Sequence, residues 1–234
     1  MDKNSNSYTF IYASVMVIVV AAILALAAVN LKPFQQKNVA IEKKQNILKS
    51  VNVIANAAQA EAKYEQVITE AFVVNNQGNK VEGDAFTINL KEQYSQKDAS
   101  KKLLPIFVAN TKDGKKYILP LYGAGLWGPI WGYIALNEDM NTIYGATFDH
   151  QGETPGLGAE IATPGFQKPF KGKTIFDKDG KLVSITIAKA SEKATANPAH
   201  SVDAISGGTI TSKGLQAMVG DDLKLYENFI KKVK

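Results

Sequence analysis

From Tyr8 to Leu31 the chain runs 24 residues without a charge, rich in Val, Ile, Ala and Leu. No other feature constrains it as strongly. As a helix rising about 1.5 Å per residue, the run covers roughly 36 Å, enough to cross a hydrocarbon core of about 30 Å. Tyr8, Phe10 and Tyr12 gather at its start, where amphipathic rings favour the membrane interface. Ala25-Leu26-Ala27 resembles a signal cleavage site. The run is nevertheless longer than the roughly 7–15 apolar residues of a signal core, so the sequence predicts a retained single-pass anchor. Charge leaves its orientation open. Lys3 alone precedes the span, whereas Lys32, Lys37, Lys43, Lys44 and Lys49 follow it, which by itself would keep the main domain in the cytoplasm. A long folded domain after the span can override that bias.

About 200 residues follow the anchor, enough for one domain with a sizeable core. The absence of cysteine excludes disulfides, thiolate nucleophiles and cysteine-ligated metal or iron–sulfur centres. A net charge of +5 comes from scattered lysines with no basic stripe interleaved with aromatics, which argues against nucleic acid as a partner. His150 and His200 are the only histidines, and neither has an acidic cluster beside it in sequence, so no metal site is expected. A hydrolytic triad would have to be assembled from Ser206, His200 and Asp203, without a Gly-x-Ser-x-Gly elbow, and is set aside.

Periodicity organises the rest. Gln35 to about Ala71 lacks Gly and Pro and is rich in Ala, Lys, Gln and Glu, which predicts a helical stalk with a second helix ending near Ile68 to Phe72. Strand-like runs follow at Ala85–Leu90, Leu103–Val108, Lys116–Leu121, Gly132–Leu136, Thr142–Phe148 and Leu182–Ala188. Turn signals at Asn75–Gly78, Asp113-Gly114 and Asp179-Gly180 punctuate the chain. The last segment carries an apolar stripe at Leu215, Met218, Val219, Leu223, Tyr226, Phe229, Ile230 and Val233, the mark of a closing helix, with Thr211 or Ser212 as its N-cap. The predicted architecture is α+β: residues 1–7 as a tail, 8–31 as a transmembrane helix and 32–72 as a helical stalk. Residues 73–234 then form one domain with a mainly antiparallel sheet and a C-terminal helix.

Three constellations offer chemistry. Asp203-Ala204-Ile205-Ser206-Gly207-Gly208-Thr209-Ile210-Thr211-Ser212 is a hydroxyl- and glycine-rich turn opening the final helix. Glycine lets the backbone approach a ligand, and the helix N-terminus favours an anion such as a phosphate; equally, such turns often only cap the helix. Gln151-Gly152-Glu153-Thr154-Pro155-Gly156-Leu157-Gly158 is a rigid loop after a strand. Its Glu153 could accept hydrogen bonds from a heterocycle with Leu157 over the ring face, or could simply cap the next turn. In Gly123–Gly132, Trp127 and Trp131 stand among glycines, either walling a flat cofactor or serving as ordinary core.

Together the three motifs resemble the C subunits of Na+-translocating NADH:quinone oxidoreductases, over nearly the whole chain. The related G subunits of Rnf electron-transport complexes share the anchor, the Glu-Thr-Pro-Gly-Leu-Gly core and the final turn. Gln151-Gly152, Gly125-Leu126-Trp127 and Gly132-Tyr133-Ile134-Ala135-Leu136 look more like the sodium-pump family. In this family the turn reads Asp-x-x-Ser/Thr-Gly-Ala-Thr, and the last threonine carries FMN through a phosphoester. Asp203, Ser206, Gly207 and Thr209 match, while Gly208 stands where alanine is usual. The resemblance implies covalent FMN on Thr209, with Ser206, Gly207, Gly208 and Thr211 around the phosphate. Glu153, Thr154, Leu157, Gly158 and Trp127 are then expected on the ring side.

It also implies an electron-relaying subunit among the other subunits of a membrane redox pump, loaded by a separate flavin transferase that uses FAD. Its soluble domain would lie on the periplasmic side of a bacterial inner membrane. An Rnf-type subunit is the nearest alternative; a non-catalytic membrane-anchored adapter, whose Ser/Thr turn merely caps a helix, is the alternative from another class. A pilin-like subunit is disfavoured because no glutamate stands near the start of the apolar helix.

Overall fold

The structure, a computed structural model, describes residues 5–234. The apolar run and the Ala-, Lys- and Gln-rich residues behind it are all compatible with helix, and they form one continuous element, α1 (Asn6–Ser50), with Pro33 inside it. Its mean hydropathy reaches 2.8, and it is long and apolar enough to cross a membrane. Of the tail expected over residues 1–7, residues 1–4 and with them Lys3 lie outside the described residues.

The chain divides into two units, the second beginning at Lys44. In order, this second unit holds the end of α1, then α2 (Ala60–Val67), β1 (Ile68–Val74), β2 (Lys80–Val81), α3 (Leu90–Ser95), β3 (Leu104–Thr111) and β4 (Gly114–Ala124). There follow β5 (Pro129–Leu136), β6 (Ile143–His150), the single turn α4 (Pro164–Gln167), β7 (Thr186–Ala188), β8 (Ser201–Asp203) and α5 (Thr209–Val233). The first six strands make one antiparallel sheet in the order β2-β1-β3-β4-β5-β6, and β7 and β8 form a separate parallel pair. The architecture is thus α+β, with a mainly antiparallel sheet and a C-terminal helix.

Strands β3, β5 and β6 are buried along most of their length rather than on alternate residues, because both faces of the sheet are covered. On one face α5 packs its stripe of Leu215, Met218, Val219, Leu223, Tyr226 and Ile230. On the other, Ile47 and Val51 lie against Phe107, Ile118, Tyr133 and Ala135.

Helix α5 also completes the sheet. Strand β3 pairs with β4 only from Gly114 to Ile118, so the later residues of β4 have no strand on that side. Tyr122 N–H donates instead to Asp222 Oδ2 at 2.7 Å. The Tyr226 hydroxyl reaches Pro105 O at 2.9 Å and Pro120 O at 3.2 Å. Pro120 has no N–H to leave unpaired, which suits a strand edge. These bonds seat α5 across the end of β4 and so carry Thr209, at its start, toward the β4–β5 turn.

The structure departs from the sequence expectations in four places. Ile68–Val74 is a strand rather than a helix end, its β-branched and aromatic residues paired with β3. Ala85–Leu90 is not a strand: Asp84 Oδ1 accepts the Phe86 N–H at 2.9 Å and closes a side-chain turn. The run Leu182–Ala188 shortens to Thr186–Ala188, because Ser184 has a φ of 58°, which no strand continues through. Finally, α5 starts at Thr209 with Gly208 as N-cap, and Thr211 and Ser212 are buried inside its first turns.

Candidate functional site

The turn before α5 is shaped by its own backbone. Ala204 N–H donates to Ala188 O at 2.8 Å as β8 ends, Ile205 N–H to Ser212 Oγ at 3.2 Å and Gly208 N–H to Ile205 O at 3.1 Å. Gly207 holds a φ of 74°, which a side chain would strain. The helix opens without a side-chain cap. Ser212 N–H takes Gly208 O at 2.9 Å, whereas the N–H groups of Thr209, Ile210 and Thr211 have no protein acceptor among the described residues. The Thr209 and Ser206 hydroxyls likewise make no hydrogen bond there. Three outward donors and two free hydroxyls at a helix start form an anion cradle.

The other two motifs meet this turn. Leu157 lies over Gly207: a Cβ there would come within 2.6 Å of Leu157 Cδ2. Trp127, in the β4–β5 turn closed by Gly125 N–H to Gly128 O at 2.8 Å, is 69% exposed. Leu157 is 42% and Ile210 57% exposed, and Leu126 is exposed as well. Exposed Leu157 and Ile210 at a helix start with unpaired donors suit a ligand with an apolar body and a charged tail.

Glu153 and Gly158 are placed differently from the exposed pair Trp127 and Leu157. The Glu153 side chain is buried, with Oε1 accepting from Trp127 N–H at 2.8 Å and Oε2 from the Thr211 hydroxyl at 2.5 Å. Its own N–H donates to His150 Nδ1 at 3.2 Å. Gly158 is buried beside that carboxylate. Thr154 caps its loop from the backbone, its carbonyl accepting the Leu157 and Ala159 N–H groups, each at 3.1 Å.

Asp203 is exposed and paired with Lys193 at 2.7 Å. Gly208 is buried, and a Cβ added there would meet Ile205 Cγ2 at 2.9 Å. In this chain Ile205 therefore fills the space that a methyl at 208 would take. The sequence assigns no site role to Lys193, Leu126 or Ile210, although Leu126 stands in the Gly-Leu-Trp segment and Ile210 in the final turn, off the stripe of α5. Trp131 is half-buried in β5, and His200 is held by Thr174, its Nδ1 at 2.6 Å from Thr174 O. No cluster of three or more His, Cys, Asp or Glu able to hold a metal occurs among the described residues.

A separate cleft of about 240 Å³ runs between β4 and α5, lined by Tyr94, Lys102, Tyr122, Met218, Asp222 and Leu225 among others. Burial pushes the Asp222 carboxyl up to about 7, against the Tyr122 N–H bond and Lys102, which pull it down; Asp221 adds to the rise. Burial, then Tyr94, raises Tyr122. The cleft shares no residue with the Thr209 turn.

Fold and site define an α+β domain whose last helix opens uncapped beside the exposed Leu157, and a model of the FMN-binding domain family matches residues 125–224. The C subunit of the Na+-translocating NADH-quinone reductase of Neisseria meningitidis serogroup B is 33% identical, over 92% of this chain and 88% of that protein. Its counterpart from Haemophilus ducreyi is 32% identical over the same shares. The crystal structure of the corresponding C subunit from Parabacteroides distasonis superposes with a TM-score of 0.78 at 48% identity, covering 86% of this chain and 96% of that one. NqrC from Shewanella oneidensis gives 0.68 at 26%, covering 83% and 97%. The chain belongs to the family of C subunits of Na+-translocating NADH-quinone reductases.

Proposed function

We propose that this chain is the electron-relaying flavoprotein subunit of a membrane Na+-translocating NADH:quinone reductase, carrying FMN as a phosphoester on Thr209. One observation carries the reading above all. A free threonine hydroxyl stands at the uncapped first residue of α5, two positions after a glycine covered by the exposed Leu157, in a chain whose residues 125–224 match the FMN-binding domain family.

The residues fit the group. The N–H donors of Thr209, Ile210 and Thr211 and the Ser206 hydroxyl, none with a protein acceptor, would hold a phosphate on Thr209. Gly207 admits Leu157 close to the attachment point, and Trp127 and Leu157 offer apolar area to a ring. Loading is a group transfer by a separate flavin transferase with FAD as donor. The Thr209 Oγ1–P bond forms, the pyrophosphate P–O bond breaks, AMP leaves and the hydroxyl proton is released. Bound FMN supplies reversible electron transfer at its ring, and the protein holds it, limits its contact with water and sets its surroundings. Covalent attachment keeps the cofactor on a domain whose binding wall is open to solvent.

The anchor confines the domain beside its partner subunits at the bacterial inner membrane. We place the domain on the periplasmic side, where the transferase acts, since a long folded domain overrides the flanking lysines. NADH oxidation belongs to another subunit, because no dinucleotide fingerprint is present. Sodium passes elsewhere too, since Tyr8–Leu31 has no ionisable acid or base in its interior to line a path. The test is flavin fluorescence of the denatured full chain after co-expression with a flavin transferase. Wild type should fluoresce and Thr209→Ala should not; equal signals from both, or none from either, would overturn the assignment.

A further inference from the structure

The three motifs of the site are joined at one buried carboxylate. Glu153 is 4% exposed, yet no cation among the described residues pairs with it, and both of its oxygens are taken by neutral donors from distant segments. One donor is the backbone N–H of Trp127, 26 positions earlier; the other is the hydroxyl of Thr211, 58 positions later and two residues past Thr209. We propose that Glu153 is the positioning residue of this site, a tether that fixes the Trp127 turn to the first turn of α5 and never touches the cofactor. The part of this statement that concerns the cofactor rests on the flavin reading; the tether itself does not.

The chemistry explains why the residue is an acid. Trp127 N–H is a donor that cannot turn away, whereas the Thr211 hydroxyl, here a donor, can also accept. A carboxylate accepts at both oxygens, which no neutral side chain of this length does. The start of α5 presents the positive end of its dipole to the charge. The space is reserved on both sides. A Cβ on Gly125 would sit 2.5 Å from Glu153 Oε1, and one on Gly158 would overlap both Glu153 Oε2 and Thr211 Oγ1. One glycine in each of two motifs is thus accounted for by a carboxylate between them rather than by a ring. From behind, the bond from Glu153 N–H to His150 Nδ1 holds the backbone in place.

Because the tether links segments far apart in sequence, cutting it at one end should loosen the other. The experiment is hydrogen–deuterium exchange by mass spectrometry on the full chain in detergent micelles, expressed without the transferase. It compares wild type, Thr211→Val, Glu153→Gln and Glu153→Ala. Thr211→Val removes only the hydroxyl donor and keeps the side-chain shape, so it guards against simple misfolding. We expect it to speed exchange about tenfold in the peptide containing Trp127, with the β3–β4 hairpin unchanged. Glu153→Ala should do the same at both ends. Glu153→Gln should stay within about threefold of wild type, since its carbonyl can face the Trp127 N–H while the Thr211 hydroxyl turns round to accept. Unchanged exchange at Trp127 in both Thr211→Val and Glu153→Ala would overturn the proposal.

The same variants, loaded with flavin, give the second arm. Glu153→Ala should keep the covalent flavin but shift its visible absorption band, and Glu153→Gln should restore the wild-type band. A wild-type band in Glu153→Ala would show that the tether does not position the ring wall. Failure of the wild type to take flavin would count against the flavin reading alone, leaving the exchange result to judge the tether.

Discussion

Replacing Asp222 by Asn should make the protein more stable, and increasingly so as the pH rises. In the folded chain the Asp222 carboxyl titrates at about 7, against an ordinary value of 3.8. The folded state therefore holds this proton more tightly than the unfolded state. The resulting stability is fully present below pH 4 and is lost as the pH climbs through 7. A rise of that size is equivalent to about 4 kcal/mol, taking about 1.36 kcal/mol for each tenfold change in proton affinity. The carboxyl lies at the floor of an open cleft where water screens part of the charge, so the loss should fall between about 2 and 4 kcal/mol. Asparagine keeps an oxygen for the Tyr122 N–H and carries no charge to desolvate. Thermal unfolding of the full chain in detergent should then give Tm values for wild type and Asp222→Asn within about 4 °C of each other at pH 4.5, where the unfolded carboxyl is already mostly ionised. At pH 8.5 the variant should unfold roughly 4–16 °C higher, taking about 2–4 °C per kcal/mol for a domain of this size. Parallel curves for the two proteins would refute the reasoning, because the pH dependence would then arise elsewhere.

Three more outcomes follow from single contacts. Gly208→Ala should lower stability by about 1–3 kcal/mol because Ile205 already occupies the space; Ile205→Ala in the same chain should abolish that increment in a double-mutant cycle. Tyr226→Phe removes the one hydroxyl donor shared by the carbonyls of Pro105 and Pro120, and denaturant titration should show a loss of about 1–3 kcal/mol with the m-value unchanged. Leu157→Asp should change the visible spectrum of the loaded protein while leaving the covalent flavin in place; an unchanged spectrum would remove this loop from the ring wall.

What the sequence made legible was what is local. The uncharged run, strands β3 to β6 and the stripe of α5 declare themselves through length, apolar runs set between turn signals and period, and the structure contains each of them. Strand β1 did not, because Ile68–Val74 follows an Ala- and Glu-rich helix and becomes a strand only by pairing with β3. The parallel pair β7–β8 is three residues long on each side, too short for any period to mark. The site shows the same division. The Thr209 turn, the Glu153–Gly158 loop and the Trp127 turn could each be read from their residue types, and the fold does bring them together. The environment of Glu153 could not be read, since its two partners lie 26 and 58 residues away. Asp222 reads as a polar residue interrupting an apolar stripe, and its reason for being there is a backbone N–H 100 residues distant.

The measurement that bears most directly on the central claim is tandem mass spectrometry of a proteolytic digest of the chain co-expressed with a flavin transferase. The account predicts a single modified fragment spanning residues 203–213, heavier by one FMN less one water, with fragmentation placing the addition on Thr209. A flavin found on Ser206 or Thr211, or a digest carrying none, would contradict it.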